Sequence, residues 1–324
     1  MQQLKTYHSL LEKEIAKQKY GKQPASLYEP IRYLMGLGGK RLRPMLALLS
    51  YSLYKTDTPS VVPYAVAVEA FHNFTLMHDD IMDKAPLRRG KQTVHEKWNV
   101  NTAIISGDVM VVKVYEMFTS LEPVILQRVL KAFSQCAAEV CEGQQWDMEF
   151  EITEKVTEAQ YINMIRQKTA VLLGFSLELG AILAGAPDED RVALRDFGTN
   201  IGIGFQLKDD LLDAYADPEK FGKQIGGDII ANKKTFLLIK ACEKATGKTK
   251  RELTEWLTAS KFNKNKKVAA VKSIYDTLGI PELTQKKVDQ FFKKGFDSLD
   301  RLAINTEAKA VLRRYAEALI ERQS

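Results

Sequence analysis

Apolar positions recur at three- and four-residue steps along almost the whole chain, the period of an amphipathic α-helix. Leu42, Leu46, Leu49 and Leu53 form one such series; Val109, Val112, Tyr115, Met117 and Phe118 form another. The pattern breaks at residues 36–39, 56–59, 121–123, 185–187 and 278–281, where glycine or proline marks a helix end. No stretch of strict two-residue alternation is bounded by turn residues, so the pattern has no clear place for β-sheet. Residues 169–186 are apolar nearly all round, which predicts a helix buried in a large bundle. Two stretches read as irregular. Residues 85–92 carry Pro86 with Arg88 and Arg89, and residues 217–234 carry Pro218, Gly222, Gly226 and Gly227 among Lys220, Lys223, Lys233 and Lys234. Long loops of that kind are often functional, and glycines beside lysines suit phosphate contacts. The basic run at residues 261–267 reads as a solvated surface loop. The fold expected is a single all-α domain over residues 1–324.

Composition narrows the class. Apolar residues are 45% and charged residues 27% of 324, close to globular averages, which excludes a disordered or fibrous chain. A net charge of +6 fits an anionic small-molecule partner as well as it fits nucleic acid. Cys136, Cys141 and Cys242 are too few and too badly spaced for a disulfide framework or a zinc site, which suits a reducing compartment. The amino-terminal residues alternate apolar with charged and lack the apolar core of a signal peptide. The longest apolar run, residues 170–186, is interrupted by Glu178 and is about one turn short of a membrane span. A soluble, cytoplasmic protein without stable membrane insertion is expected.

The candidate chemistry lies in a duplicated acidic motif. Asp79, Asp80 and Asp83 form one DDxxD set and Asp209, Asp210 and Asp213 a second. On a helix, positions i and i+4 share a face and i+1 flanks it, so each set presents three carboxylates together. Apolar neighbours Ile81, Met82, Leu211 and Leu212 suggest that the helices are largely buried. Carboxylates crowded in a low-dielectric place raise one another's pKa unless a cation balances them. Mg²⁺ takes one or two carboxylates together with phosphate oxygens, so two such sets imply several ions gripping a diphosphate. With 18 aspartates, two such motifs arise by chance in about one chain in several hundred.

Gly38 and Gly39 precede Lys40, Arg41 and Arg43 at a helix start, where the backbone can approach an anion and the cations can bond it. His72 lies two helical turns before Asp79, on the same face. Gly247-Lys248-Thr249 lacks the first glycine and the strand of a P-loop, and Gly202-Ile203-Gly204 lacks the βαβ setting of a dinucleotide fingerprint.

These residues resemble the trans-isoprenyl diphosphate synthases, the polyprenyl synthetase family. The match runs collinearly from Tyr28 to Phe236: GGKRLRP at 38–44, HDDIMD at 78–83, RRG at 88–90, GD at 107–108, GQ at 143–144, KT at 168–169, FQLKDDLLD at 205–213 and GGDIIANKKT at 226–235. Gln92 departs from the family's usual proline after RRGx. The resemblance implies an isoprenoid-synthase-type bundle of long antiparallel helices around a deep central cavity, usually as a homodimer. The motif-bearing core would span about residues 28–236, followed by carboxy-terminal helices over 237–324. It implies that Asp79, Asp80, Asp83 and Asp209, with Asp210 and Asp213 nearby, hold about three Mg²⁺ ions on an allylic diphosphate. Arg88, Lys168, Lys223 and Lys233 would contact the same diphosphate. Lys40, Arg43, His72 and Arg89 would bind isopentenyl diphosphate, while Gln206 and the backbone near Lys168 and Thr169 would face the reacting carbons.

The implied reaction condenses isopentenyl diphosphate with allylic diphosphates. In this family bulky residues before the first DDxxD form the floor that stops chain growth; here Phe71, Phe74 and Thr75 stand eight, five and four residues before Asp79. That pattern resembles synthases of the C20 product, geranylgeranyl diphosphate, with the C15 product next. An ideal helix places Thr75 beneath Asp79 and turns Phe74 away, so the Phe74 assignment rests on the resemblance. A non-catalytic regulatory subunit would be expected to have lost acidic residues, and a terpene cyclase would carry a different second metal motif. A nucleic-acid-binding bundle is opposed by the carboxylate clusters.

Overall fold

The computed structural model describes residues 2–216, 226–304 and 306–321 and is all-α among them, apart from one two-stranded ribbon. The helices are α1 (Gln2–Lys17), α2 (Ala25–Gly36), α3 (Leu42–Tyr51), α4 (Val62–Met82), α5 (Val94–Lys97), α6 (Val100–Phe118), α7 (Pro123–Ile152), α8 (Glu158–Ile165), α9 (Val171–Ala184) and α10 (Asp188–Tyr215). After residues 217–225 come α11 (Gly227–Ile230), α12 (Phe236–Lys244), α13 (Gly247–Thr258), α14 (Lys264–Thr277), α15 (Ile280–Asp300) and α16 (Thr306–Glu321). The ribbon pairs β1 (Leu87–Arg88) with β2 (Lys91–Gln92), antiparallel, with Leu87 opposite Gln92. Residues 85–92, expected to be irregular, are thus partly a hairpin carrying the two arginines.

Every break read from the sequence falls between two of these helices. The end of α9 shows why: Ala186 N–H reaches Ala181 O at 3.0 Å and Gly185 N–H reaches Ile182 O at 3.1 Å. Gly185 sits at φ 71°, the left-handed turn that satisfies the last carbonyls before Pro187. Several boundaries lack glycine and proline and were not read, the starts of α8 and α14 among them. At one of them Thr157 and Gln160 form a reciprocal capping box that opens α8. At the other, the Asn263 side chain accepts from Lys266 N–H at 3.1 Å and opens α14. That second cap corrects the expectation for residues 261–267: they run from a loop into a helix, and Lys267 is fully buried.

The chain falls into two compact units. The first comprises residues 1–134 and 175–192, the second residues 135–174 and 193–324. In the first, α4 is the axis. Val66, Ala67, Val68, Ala70 and Phe71 bury it on nearly all sides, and it packs most extensively on α6. In the second, Leu237, Leu238 and Ala241 of α12 pack with Val271, Ile274 and Tyr275 of α14 and with Ile280 of α15. The motif-bearing core expected over residues 28–236 contributes to both units. Residues 158–184 form one helical stretch long and apolar enough to cross a membrane, longer than the 170–186 run read from the sequence. Its most apolar window is 83% buried inside the protein, as in the core helix of a bundle.

Candidate active site

In the first unit the first acidic set closes α4, with Asp83 as the residue capping its carboxy-terminal end. The three carboxylates are not equivalent. Asp83 is exposed and Asp79 half-buried, whereas Asp80 is 2% exposed and turned inward. Arg88, presented by the hairpin, clasps Asp80 with Nε 2.9 Å from both carboxylate oxygens and a terminal nitrogen 2.7 Å from Oδ1. Arg89 next to it, at φ 52°, donates to the carbonyl of Gly38. A Cβ on Gly39 would come within 3.0 Å of Arg89 Cζ, and the glycine's φ of 143° is one that other residues rarely adopt, so the loop favours glycine there.

His72 is half-buried on α4. Burial first, then the charges of Arg43, Arg89, Arg88 and Arg41, push its pKa well below the ordinary histidine value, so the imidazole is neutral at pH 7.

The residues proposed for chain length sit one layer deeper. Phe71 is buried and contacts Phe74 and Phe133 at ring-centroid distances of 5.5 and 5.1 Å. Phe133 is itself ringed by Tyr115, Phe118 and Phe175. Phe74 is half-buried against His78 at 4.8 Å. Thr75 donates its hydroxyl to His72 O at 2.8 Å.

In the second unit the acidic set lies near the carboxy-terminal end of α10. The inequality repeats: Asp209 and Asp213 are half-buried, and Asp210 is buried. The Tyr161 hydroxyl donates to Asp210, and Gln206 Nε2 donates to it at 3.1 Å. Burial and the neighbouring charge of Asp228 raise the Asp210 carboxyl to about 7, against the opposing effect of those hydrogen bonds. Asp213 accepts the Asp228 N–H at 3.0 Å, which ties the set to α11.

Lys168 and Thr169 lie in a single π turn, Arg166–Ala170, between α8 and α9. Such turns widen the helix and are frequent at functional sites. Gly143 on α7 makes room for it, because a Cβ there would lie 2.2 Å from Lys168 N. The turn aims Lys168 Nζ at Asp147 Oδ2, 2.6 Å away, and Lys233 Nζ lies 3.8 Å from the same oxygen. Thr169 Oγ1 reaches Gln206 Oε1 at 3.3 Å. The sequence reading missed Asp147, Tyr161 and Asp228. Asp147 was findable one helical turn beyond Gly143, and Asp228 lies inside a quoted motif; no local signal points to Tyr161.

Within the second unit the structure therefore brings together Lys168, Thr169, Gln206, Asp210 and Lys233. Within the first it brings together Asp80, Arg88, Arg89 and the 38–41 loop beside His72. Lys40 is exposed on that loop, and Arg43 is half-buried in the first turn of α3. Lys223 lies outside the described residues.

The polyprenyl synthetase profile matches residues 24–278. The chain belongs to the polyprenyl synthetase family. Within it, the chain is 38% identical to a geranylgeranyl diphosphate synthase of Methanosarcina mazei over 93% of this chain and 91% of that protein. It is 34% identical to a geranylfarnesyl diphosphate synthase of Natronomonas pharaonis, over 97% and 95% respectively. A crystal structure of a geranylgeranyl pyrophosphate synthase superposes with a TM-score of 0.94 at 41% identity, covering 99% of both chains. Membership makes the chain a prenyltransferase of the trans-isoprenyl diphosphate synthase type with the all-α fold of that family.

Mg²⁺ is the metal this family implies, and the donor set suits it. Among the described residues no three carboxyl, histidine or cysteine groups form a ready cage. Each acidic set instead buries one carboxylate and leaves the other two at least partly accessible, oxygen donors of the kind Mg²⁺ accepts when phosphate and water complete its shell.

Proposed function

We propose that this prenyltransferase condenses isopentenyl diphosphate with allylic diphosphates to give geranylgeranyl diphosphate, releasing pyrophosphate, as a cytoplasmic homodimer. The observation that carries the reading is the engagement of the cations the family assigns to the allylic diphosphate. Among the described residues Arg88 rests on Asp80, and Lys168 and Lys233 rest on Asp147. Charge is thus stored on carboxylates, ready to be transferred to an incoming polyanion.

Asp79 and Asp83 of the first unit would hold metal, and so would Asp209 and Asp213 of the second. Mg²⁺ bound there supplies positive charge that stabilises the departing pyrophosphate. Arg88, Lys168 and Lys233 add hydrogen bonds to its oxygens as the allylic C–O bond breaks and the electron pair leaves with it. Lys40, Arg43 and Arg89 hold isopentenyl diphosphate, and neutral His72 offers a donor to the same anion. The double bond of isopentenyl diphosphate supplies the electron pair of the new C–C bond, and a proton then passes to the released pyrophosphate. The amide oxygen of Gln206, oriented by Thr169, offers a negative dipole to the carbon from which pyrophosphate departs. Water has to be kept from that carbon, because it would trap it as an alcohol.

The test is a product assay with the purified chain, Mg²⁺, isopentenyl diphosphate and each allylic primer, read by mass spectrometry with Asp79→Ala as control. A discrete C20 product, absent in the control, is expected. A C15 or C25 product corrects the length, and no product from any primer overturns the reading.

A further inference from the structure

The second cation of the GGKRLRP motif does not behave like its neighbours. Lys40 is exposed and Arg43 half-buried, but Arg41 is 2% exposed and its side chain runs into the protein. Three of its N–H groups are satisfied there. Nε donates to Glu12 Oε1 of α1 at 2.7 Å, one terminal nitrogen to Glu69 Oε1 of α4 at 2.9 Å, and the other to Met35 O of α2 at 2.9 Å. One guanidinium therefore ties three helices to the loop that precedes α3.

Its backbone is equally particular. Arg41 has φ 46° and ψ 39°, the left-handed conformation, which is unfavourable for a residue other than glycine. Gly38 and Gly39, at φ 76° and 143°, complete a loop with three positive φ angles in four residues. Such a conformation persists only where surroundings over-determine it, and the three bonds of Arg41 are those surroundings. Glu69 is buried as well, and Asn73 Nδ2 bonds its backbone carbonyl at 2.8 Å. Glu69 lies one turn from His72, so the ion pair fixes the loop to the helix that carries the histidine.

We infer that Arg41 is a positioning residue for the isopentenyl diphosphate site: with Glu69 and Glu12 it holds the 38–41 loop and the start of α3 so that Lys40 and Arg43 present their charges together. This deepens the proposed function and rests on it. Arg41 does not touch the anion. It acts through the loop, from the inside, while Arg89 holds Gly38 from the outside.

The experiment compares wild type with Arg41→Gly, Arg41→Lys and Glu12→Gln, by steady-state kinetics and by calorimetric titration of isopentenyl diphosphate without primer. Glycine accepts the left-handed backbone and removes the guanidinium, so it separates side chain from strain. Arg41→Gly is expected to raise the KM for isopentenyl diphosphate about tenfold or more, the usual penalty for losing a supporting contact, with the KM for the allylic primer within about twofold. Arg41→Lys is expected to recover part of that loss, since it keeps the charge but not the three-way geometry. Glu12→Gln disturbs one half-buried partner and keeps the side chain's shape, and is expected to give a several-fold rise with the same substrate selectivity. The inference is overturned if Arg41→Gly and Glu12→Gln bind isopentenyl diphosphate as wild type does, or if they weaken both substrates equally. If the glycine variant does not fold, Glu12→Gln alone decides. Wild type that neither binds isopentenyl diphosphate nor forms product would instead sink the proposed function, an outcome distinct from both.

Discussion

A single histidine shows how local charge sets a protonation state. His72 is held neutral by burial and by the arginines around it. Its folded pKa lies below the unfolded value near 6.5, so below that pH the unfolded chain binds a proton that the folded chain refuses. Stability contributed by His72 is therefore present above about pH 6.5 and is lost as pH falls through the window beneath it. His72→Gln should flatten the acid side of the profile, with a smaller drop in Tm between pH 7.5 and 5.5 than wild type. Phe74 offers a second residue-scale prediction. It borders Phe71 and His78 and is half-buried, so Phe74→Ala opens space without breaking the Phe71–Phe133 contact beneath it. If Phe74 is the floor, mass spectrometry should show products longer than those of wild type. An unchanged distribution would remove Phe74 from that role.

At the scale of elements, helices and their ends were legible because helical period, glycine and proline are local signals. Thus α4 and α10 carry the acidic sets where the spacing placed them. What the sequence did not reveal depends on which way a side chain turns. Arg41 and Arg43 look alike in the string, yet one is interior and the other half-buried. Lys267 lies in a basic run that reads as surface, yet it is buried, with Nζ 2.6 Å from Asn232 Oδ1. Asp147 and Lys168 are twenty-one positions apart and meet because α7 crosses the π turn at Gly143. That crossing is testable. Gly143→Ala puts a methyl group 2.2 Å from Lys168 N, against backbone that cannot swing aside. A loss of about 1–3 kcal/mol is expected from such overpacking, read as a lower Tm, with kcat down at least tenfold as Lys168 shifts.

For the whole molecule, the family and the all-α class were readable because eight motifs occur in order, a signal that does not depend on knowing any contact. Assembly is a property of surfaces and follows less directly. On α6, Ile105 and Val112 lie two turns apart on one face and are 54% and 56% exposed, and Ile104 beside them is also exposed. An apolar stripe of this kind is costly in water and suits burial against a second copy. Val112→Asp should shift the chain from dimer to monomer in sedimentation velocity while leaving its circular dichroism unchanged. A monomeric wild type would refute the homodimer.

Both acidic sets stand near the carboxy-terminal ends of their helices, one closing α4 and the other in the last turns of α10. A helix end of that kind carries the negative pole of the backbone dipole, and each added carboxylate there is unfavourable by roughly 0.3–1 kcal/mol. The folded chain is therefore handicapped at two helix ends until cations arrive. Mass action then links the metal to folding: a ligand of the native state present at a hundred times its Kd adds about 2.7 kcal/mol to stability. Magnesium held at those ends, as the proposed function requires, would be a folding ligand as well as a participant in the reaction, and a chelator would act as a mild denaturant.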